Sequence, residues 1–198
     1  MNRLKRSFYE RDTILVAKEL LGKTFTTQLP HGKTSGIITE TEAYCGVDDP
    51  ACHVYKNKVT ERTKLLFHKP GTVYVYQIYG MYFCFNLIAH KKGKAGGVLL
   101  RAIAPFEGIE IMKQRRALQT SRRASKTTKH LADGPSKLCI ALGIDKSLNG
   151  TDTCLGSSKI VVSGSEAIPA RKIGSAPRIN IDYAGKAKHY PWRFFILP

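Results

Sequence analysis

Apolar residues at helical spacing open the chain. Ile14, Ala17, Leu20 and Leu21 form a stripe behind Asp12, which suits a helix cap, and Gly22 is a good stop, so a helix is expected over 13–21. The pattern then changes. Residues 24–29 and 36–44 read as strands, with Pro30-His31-Gly32-Lys33 as the turn of a hairpin. Residues 46–50 are loop, and the polar, basic stretch 54–67 carries a helical pattern near 60–67. Strict alternation returns at 73–77, where Tyr74 and Tyr76 oppose Val73, Val75 and Gln77. Over 82–89, Phe83, Phe85 and Leu87 oppose Tyr82, Cys84 and Asn86. Ile78-Tyr79-Gly80-Met81 links the two into a second hairpin, with Tyr79 and Met81 at its tip. A glycine- and lysine-rich loop follows over 90–97.

A strand over 98–103 contains Arg101. A helix over 107–118 has Ile109 and Met112 inward with Ile111 beside them. Residues 119–130 are almost without apolar side chains and carry Arg122, Arg123, Lys126 and Lys129, which predicts an exposed, mobile basic loop. Asp133-Gly134-Pro135-Ser136-Lys137 opens another helix, with Leu138, Ala141 and Leu142 as its apolar face before Gly143. Short strands are expected at 159–162, 178–181 and 193–197. No repeat or linker divides the chain, and strands mix with helices without clean alternation. The expected class is α+β, one domain over 1–198.

Composition changes this picture in one respect. The chain has 198 residues, enough for one substantial core. Its 32 Lys and Arg outweigh 15 acidic residues, a formal charge of +17 that attracts polyanions. Nucleic acid is the first candidate partner. An anionic membrane is the second, but no basic amphipathic helix, signal peptide or span-length apolar segment supports it. The five cysteines are odd in number and irregularly spaced, so reduced thiols and an intracellular setting are expected. Cys45, Cys52 and His53 lack a fourth ligand at convincing spacing, and no metal is assigned.

Three stretches bear on chemistry. Alternation along 36–44 puts Ile38, Glu40, Glu42 and Tyr44 on one face. Taken alone, that is an edge strand with a solvated acidic side. Facing the interior, the carboxylates would be costly unless paired or used. Glu42 beside a bound nucleoside could deprotonate a water for attack at the sugar C1′. Arg101 could pair with Glu42 and keep it ionised, or form a plain structural salt bridge. Tyr44, Tyr76 and His53 would make a slot for a base drawn from the duplex, against the plainer reading that they fill the core. Tyr79, with Met81 and Tyr82, would enter DNA as a wedge, or fold back onto the protein.

The motifs together resemble the alkyladenine (3-methyladenine, methylpurine) DNA glycosylase family. They are Glu40-Thr41-Glu42-Ala43-Tyr44, Ala51-Cys52-His53, Lys69-Pro70-Gly71-Thr72-Val73-Tyr74-Val75-Tyr76, Tyr79-Gly80-Met81-Tyr82-Phe83-Cys84-Phe85-Asn86, Leu99-Leu100-Arg101-Ala102, Gly134-Pro135-Ser136-Lys137-Leu138, Arg178-Ile179-Asn180-Ile181 and Pro191-Trp192-Arg193-Phe194. Their order agrees and they span nearly the whole chain. The resemblance implies a curved, mostly antiparallel sheet with flanking helices and a protruding hairpin that intercalates into DNA. It implies a monofunctional enzyme without metal or organic cofactor, acting as a monomer on damaged purines in duplex DNA.

The resemblance also assigns roles. Glu42 is the general base, and Arg101 and the main-chain carbonyl of Ile179 help hold its water. Tyr44, His53 and Tyr76 form the base pocket, main-chain groups from Ala51 to His53 meet the base edge, and Asn86 excludes the 2-amino group of guanine. Tyr79 fills the gap in the duplex, with Met81 and Tyr82 beside it.

Residues 119–130 match nothing in the family pattern. With Arg122 and Arg123 they are expected to add phosphate contacts. Gly134, Ser136 and Lys137, at a helix start, form a second phosphate site or simply cap the helix. Two rivals remain. A non-catalytic nucleic-acid-binding protein on the same fold explains the charge, and a metal-dependent nuclease would need carboxylates beyond Glu40 and Glu42.

Overall fold

The computed structural model describes residues 2–120, 128, 130–164 and 167–198. Among the described residues, eight antiparallel strands form one curved sheet: β1 (Thr24–Leu29), β2 (Gly32–Tyr44), β3 (Val73–Ile78), β4 (Tyr82–Ile88), β5 (Gly97–Glu107), β6 (Ile160–Ser163), β7 (Ile173–Ala176) and β8 (Arg193–Ile196). The order is β3-β4-β5-β2-β1-β6. The long β2 has β5 on one side and two neighbours on the other. β1 pairs with its first part, β8 pairs with Glu40–Glu42, and β7 continues from β8. The helices are α1 (Arg6–Tyr9), α2 (Thr13–Leu20), α3 (Ile109–Thr120) and α4 (Pro135–Leu142). α2 packs on β2, β5 and β8; α4 packs on β4, β5 and α3. This is the expected α+β class.

Local chemistry accounts for the element ends. The Asp12 carboxylate accepts from the amides of Ile14 and Leu15, so α2 starts where a capping residue permits. Val16, Ala17 and Leu20 are its buried face, with Ile14 only partly covered. Pro135 begins α4, and Gly143 ends it in the left-handed region at φ 69°. The main core joins this layer to the sheet through Phe25, Ile38, Val73, Val75, Phe85, Leu87, Leu100, Met112 and Phe194. The alternation predicted for β3 and β4 holds: Val73, Val75, Phe85 and Leu87 face that core.

Several expectations are corrected. The turn between β1 and β2 is only Pro30-His31, because Gly32 and Lys33 already pair with Leu29 and Gln28. Ile38 does not share a face with Glu40, Glu42 and Tyr44. The pairing passes from Ile38↔Ile103 to Glu40↔Ala102, so Thr39 is a bulge residue and Ile38 turns into the core. Residues 178–181 are not a strand, since the Ile179 amide is spent on a side chain and Asn180 sits at φ 59°. The strand missed by pattern reading is β7. α3 runs through Thr120, so the expected loop cannot begin at Gln119. Most of that loop, with Arg122 and Arg123, lies outside the described residues. Among the described residues no helix is long and apolar enough to cross a membrane.

Candidate active site

Two bulges aim the charged residues at each other. After Thr39, the register passes from Glu40↔Ala102 to Thr41↔Leu100, which leaves Arg101 as the extra residue on β5. A bulge redirects a side chain out of the regular alternation. Arg101 Nε donates to Glu40 Oε1 at 2.9 Å, and its Nη1 lies 3.2 Å from Glu42 Oε1. Glu40 Oε1 also accepts from Arg193 Nη1 at 3.0 Å. Arg101 therefore serves two carboxylates two residues apart.

Glu42 is fully buried. An isolated buried carboxylate would be very costly, and this one is met on three sides. Besides Arg101, the Ile179 amide donates to Oε1 at 2.9 Å and the Tyr44 hydroxyl donates to Oε2 at 2.8 Å. Ile179 thus meets Glu42 through its main-chain amide, a contact separate from the water-holding role expected of its carbonyl. Burial pushes the Tyr44 hydroxyl well above the ordinary phenol range, and the Glu42 charge adds to the rise, so Tyr44 remains a donor at neutral pH.

A cavity of about 330 Å³ lies over this carboxylate. Glu42, Tyr44, Ala51, His53, Tyr76 and Arg101 border it, together with Ile179 and Tyr79. The volume is within the range of small-molecule sites. A smaller recess of about 20 Å³ continues behind Tyr44, His53 and Tyr76. Asn86 lines the recess rather than the main cavity, and its Nδ2 donates to the Tyr74 carbonyl at 3.1 Å. His53 and Tyr76 meet edge to face with ring centroids 4.7 Å apart. Burial, helped by the charge of Arg62, lowers the His53 pKa to about 4, so this ring is neutral at physiological pH. Its Nδ1 is 3.0 Å from the Tyr74 hydroxyl.

The hairpin tip contrasts with this enclosure. Tyr79 is 79% exposed and Met81 56%. Tyr79 and Gly80 both have positive φ, 50° and 68°, as a tight primed turn demands. Gln77 Nε2 donates to the Gly80 carbonyl at 2.6 Å and the Met81 amide to Ile78 at 3.2 Å. Tyr79 borders the main cavity, whereas Met81 and Tyr82 border a separate groove with Leu118 and Ile140.

The start of α4 also reaches the cavity, through Pro135 and Ser136. Gly134 makes no side-chain cap bond there. Lys137 pairs with Asp133 at 2.8 Å, and Asp133 also accepts from His130. Among the described residues no three His, Cys, Asp or Glu side chains gather as a metal cluster would.

Pattern reading overlooked Arg178, Asp49, Tyr74 and Tyr183. Arg178 and Asp49 form a wholly buried bidentate pair at 2.6 and 2.8 Å. Burial works against the Arg178 charge, but hydrogen bonds and the charge of Asp49 outweigh it, and the pKa ends above the usual value. Arg178 was visible only as part of a motif, and no local spacing pairs it with a residue 129 positions away. Tyr183 is exposed, with its hydroxyl donating to the Ala51 carbonyl at 3.2 Å across the cavity mouth.

Comparison with known proteins bears on the arrangement. The family model described as Methylpurine-DNA glycosylase matches residues 7–197. A Clostridium perfringens protein named "Putative 3-methyladenine DNA glycosylase" is 50% identical over 196 residues, covering 98% of this chain and 95% of that protein. Proteins of the same name from Desulfitobacterium hafniense and Methanocella arvoryzae are 45% and 46% identical, covering 99% and 97% of this chain and 96% and 91% of their own lengths. The match over nearly the whole chain places it in the methylpurine-DNA glycosylase family.

Proposed function

We propose that this protein hydrolyses the N-glycosidic bond of alkylated or deaminated purines flipped out of duplex DNA. The substrates are 3-methyladenine, 7-methylguanine, hypoxanthine and ethenoadenine, and residues 1–198 act as one monomeric, monofunctional glycosylase domain. The observation that carries this reading is a wholly buried Glu42 with three donors on its carboxylate at the floor of an aromatic cavity. Its energetic cost is hard to explain unless the group does chemistry there.

In the proposed reaction the extruded base lies among Tyr44, His53 and Tyr76. A water beside Glu42 attacks C1′. The C1′–N bond breaks, its electron pair leaves with the purine nitrogen, and the proton of the water passes to the Glu42 carboxylate. Negative charge at Glu42 also favours the oxocarbenium-like centre at C1′. Arg101 and the Ile179 backbone hold the carboxylate and its water. A purine alkylated at N3 or N7 is cationic and leaves readily. Tyr79 fills the space vacated by the base, and Asn86, from the recess, disfavours the 2-amino group of normal guanine. The net charge of +17, together with Gly134, Ser136 and Lys137 at the start of α4, suits a phosphate backbone.

The non-catalytic alternative accounts for the charge and leaves the buried Glu42 without a task. Incubation with duplex carrying hypoxanthine or a methylpurine, followed by alkali and a cleavage gel, separates the two. Wild-type protein should produce a nick at the lesion. Glu42→Gln should bind the same duplex and release base about 1,000-fold more slowly. Undiminished release by that variant removes Glu42 from its role, and no release by the wild type favours the binder.

A further inference from the structure

Arg178 does not line the cavity, yet it joins the segments that build it and that hold Glu42. Its Nη1 donates to Asp49 Oδ2 at 2.6 Å and to the Ala43 carbonyl at 2.8 Å, and its Nη2 donates to Asp49 Oδ1 at 2.8 Å. The guanidinium lies between two aromatic rings, 4.8 Å from the centroid of Tyr44 and 4.9 Å from that of Trp192. Asp49 in turn accepts from the amides of Cys45 and Ala51, each at 3.0 Å. One ion pair thus fastens three pieces of chain: the end of β2, the loop carrying Ala51 and His53, and the 178–181 segment whose Ile179 amide holds Glu42.

We propose that the Arg178–Asp49 pair is a positioning clamp for base excision, setting the relative placement of Glu42, the Tyr44 ring and the Ala51 backbone. The proposal rests on the function given above. Stability alone is a poor reason for such a pair. Two desolvated charges are commonly no better than well-packed apolar residues of the same volume. Arg178 Nε, moreover, is buried without a hydrogen-bond partner, a further cost. What an apolar replacement cannot supply is geometry. A planar fork stacked between two rings and locked to a carboxylate and a carbonyl fixes all three segments at once. A lysine keeps the charge but neither the fork nor the stacking.

The test separates stability from rate. Arg178→Lys, Asp49→Asn and the paired apolar replacement Arg178→Met with Asp49→Leu are compared with wild type by thermal unfolding and by single-turnover base release at saturating lesion duplex. The rate is corrected for the fraction of competent enzyme, so a loss of folded protein or of affinity does not enter it. Displacing catalytic groups by an ångström can cost about 100-fold in rate. Arg178→Lys and Asp49→Asn should lose about that factor. The apolar pair should regain much of the thermal stability lost by the single variants and stay slow. If a folded Arg178→Lys, or the apolar pair, releases base within about threefold of wild type, the clamp is only structural and the proposal falls. Wild-type protein that releases no base from any lesion duplex overturns the reading of the site and the clamp with it. An active wild type with equally active variants overturns the clamp alone.

Discussion

The cavity floor and the hairpin tip are held in opposite ways. At the floor, Glu42 is wholly enclosed and each of its neighbours is fixed by a contact within the chain. At the tip, Tyr79 projects into solvent and keeps a left-handed backbone that a bulky residue adopts only at a cost. Buried charge must find partners inside the protein, so the floor is complete before any ligand arrives. An exposed ring on a strained turn has no such completion in the isolated chain. The comparison suggests that the floor is organised for chemistry and the tip for something outside the molecule.

Breaking the floor should have the largest effect on stability. Arg101→Met leaves Glu42 without its cation, while Glu40 keeps Arg193. Removing one member of a buried pair costs about 3 kcal/mol. Denaturant unfolding should register that loss, and base release should fall with it. Undiminished stability would mean that the floor does not depend on charge satisfaction, and the contrast with the tip would lose its basis.

Much of this difference was legible in the sequence. Alternation located β3 and β4 and separated the core-facing Val73, Val75, Phe85 and Leu87 from Tyr74, Tyr76 and Cys84 on the other side. The tip was legible for the same reason, since a tight link between two strands leaves its side chains little to pack against. The bulges at Thr39 and Arg101 were not legible, because a one-residue shift depends on which strand lies opposite. Pattern reading therefore kept Ile38 on the acidic face. Residues 178–181 carry the alternation of a strand, which does not reveal that their polar groups are spent on Asp49 and Glu42. Arg178 carried no local sign of its role, since each of its hydrogen bonds spans more than a hundred residues.

The wall of the cavity offers a pH test of how far enclosure extends. His53 titrates near 4 in the folded protein, and an unfolded chain would titrate near about 6.5. Between these values the unfolded state binds the proton and the native state does not. Stability is therefore complete at and above pH 6.5 and declines as the pH falls toward 4, by on the order of 3 kcal/mol from this residue. Replacing His53 with Gln should flatten the difference in unfolding free energy between pH 7 and pH 4.5. An unchanged slope would place His53 in effective contact with water and weaken the description of a closed wall.

The smallest effects should sharpen the account of the tip, where the ring and the backbone can be tested apart. Tyr79→Ser removes the ring and should weaken binding to lesion duplex by about tenfold, the loss expected of one inserted wedge, with little change in thermal stability. Tyr79→Gly removes the ring too, and also relieves a β-carbon at φ 50°. Relief of the turn outweighs the added freedom of the unfolded chain by only about 0.5 kcal/mol. Tyr79→Gly should therefore bind as poorly as Tyr79→Ser and melt slightly higher than wild type. If both variants bind lesion duplex like wild type, the strained turn is not maintained for DNA. If Tyr79→Gly melts lower, the tyrosine ring is packing on the protein after all, and the tip resembles the floor more than its exposure suggests.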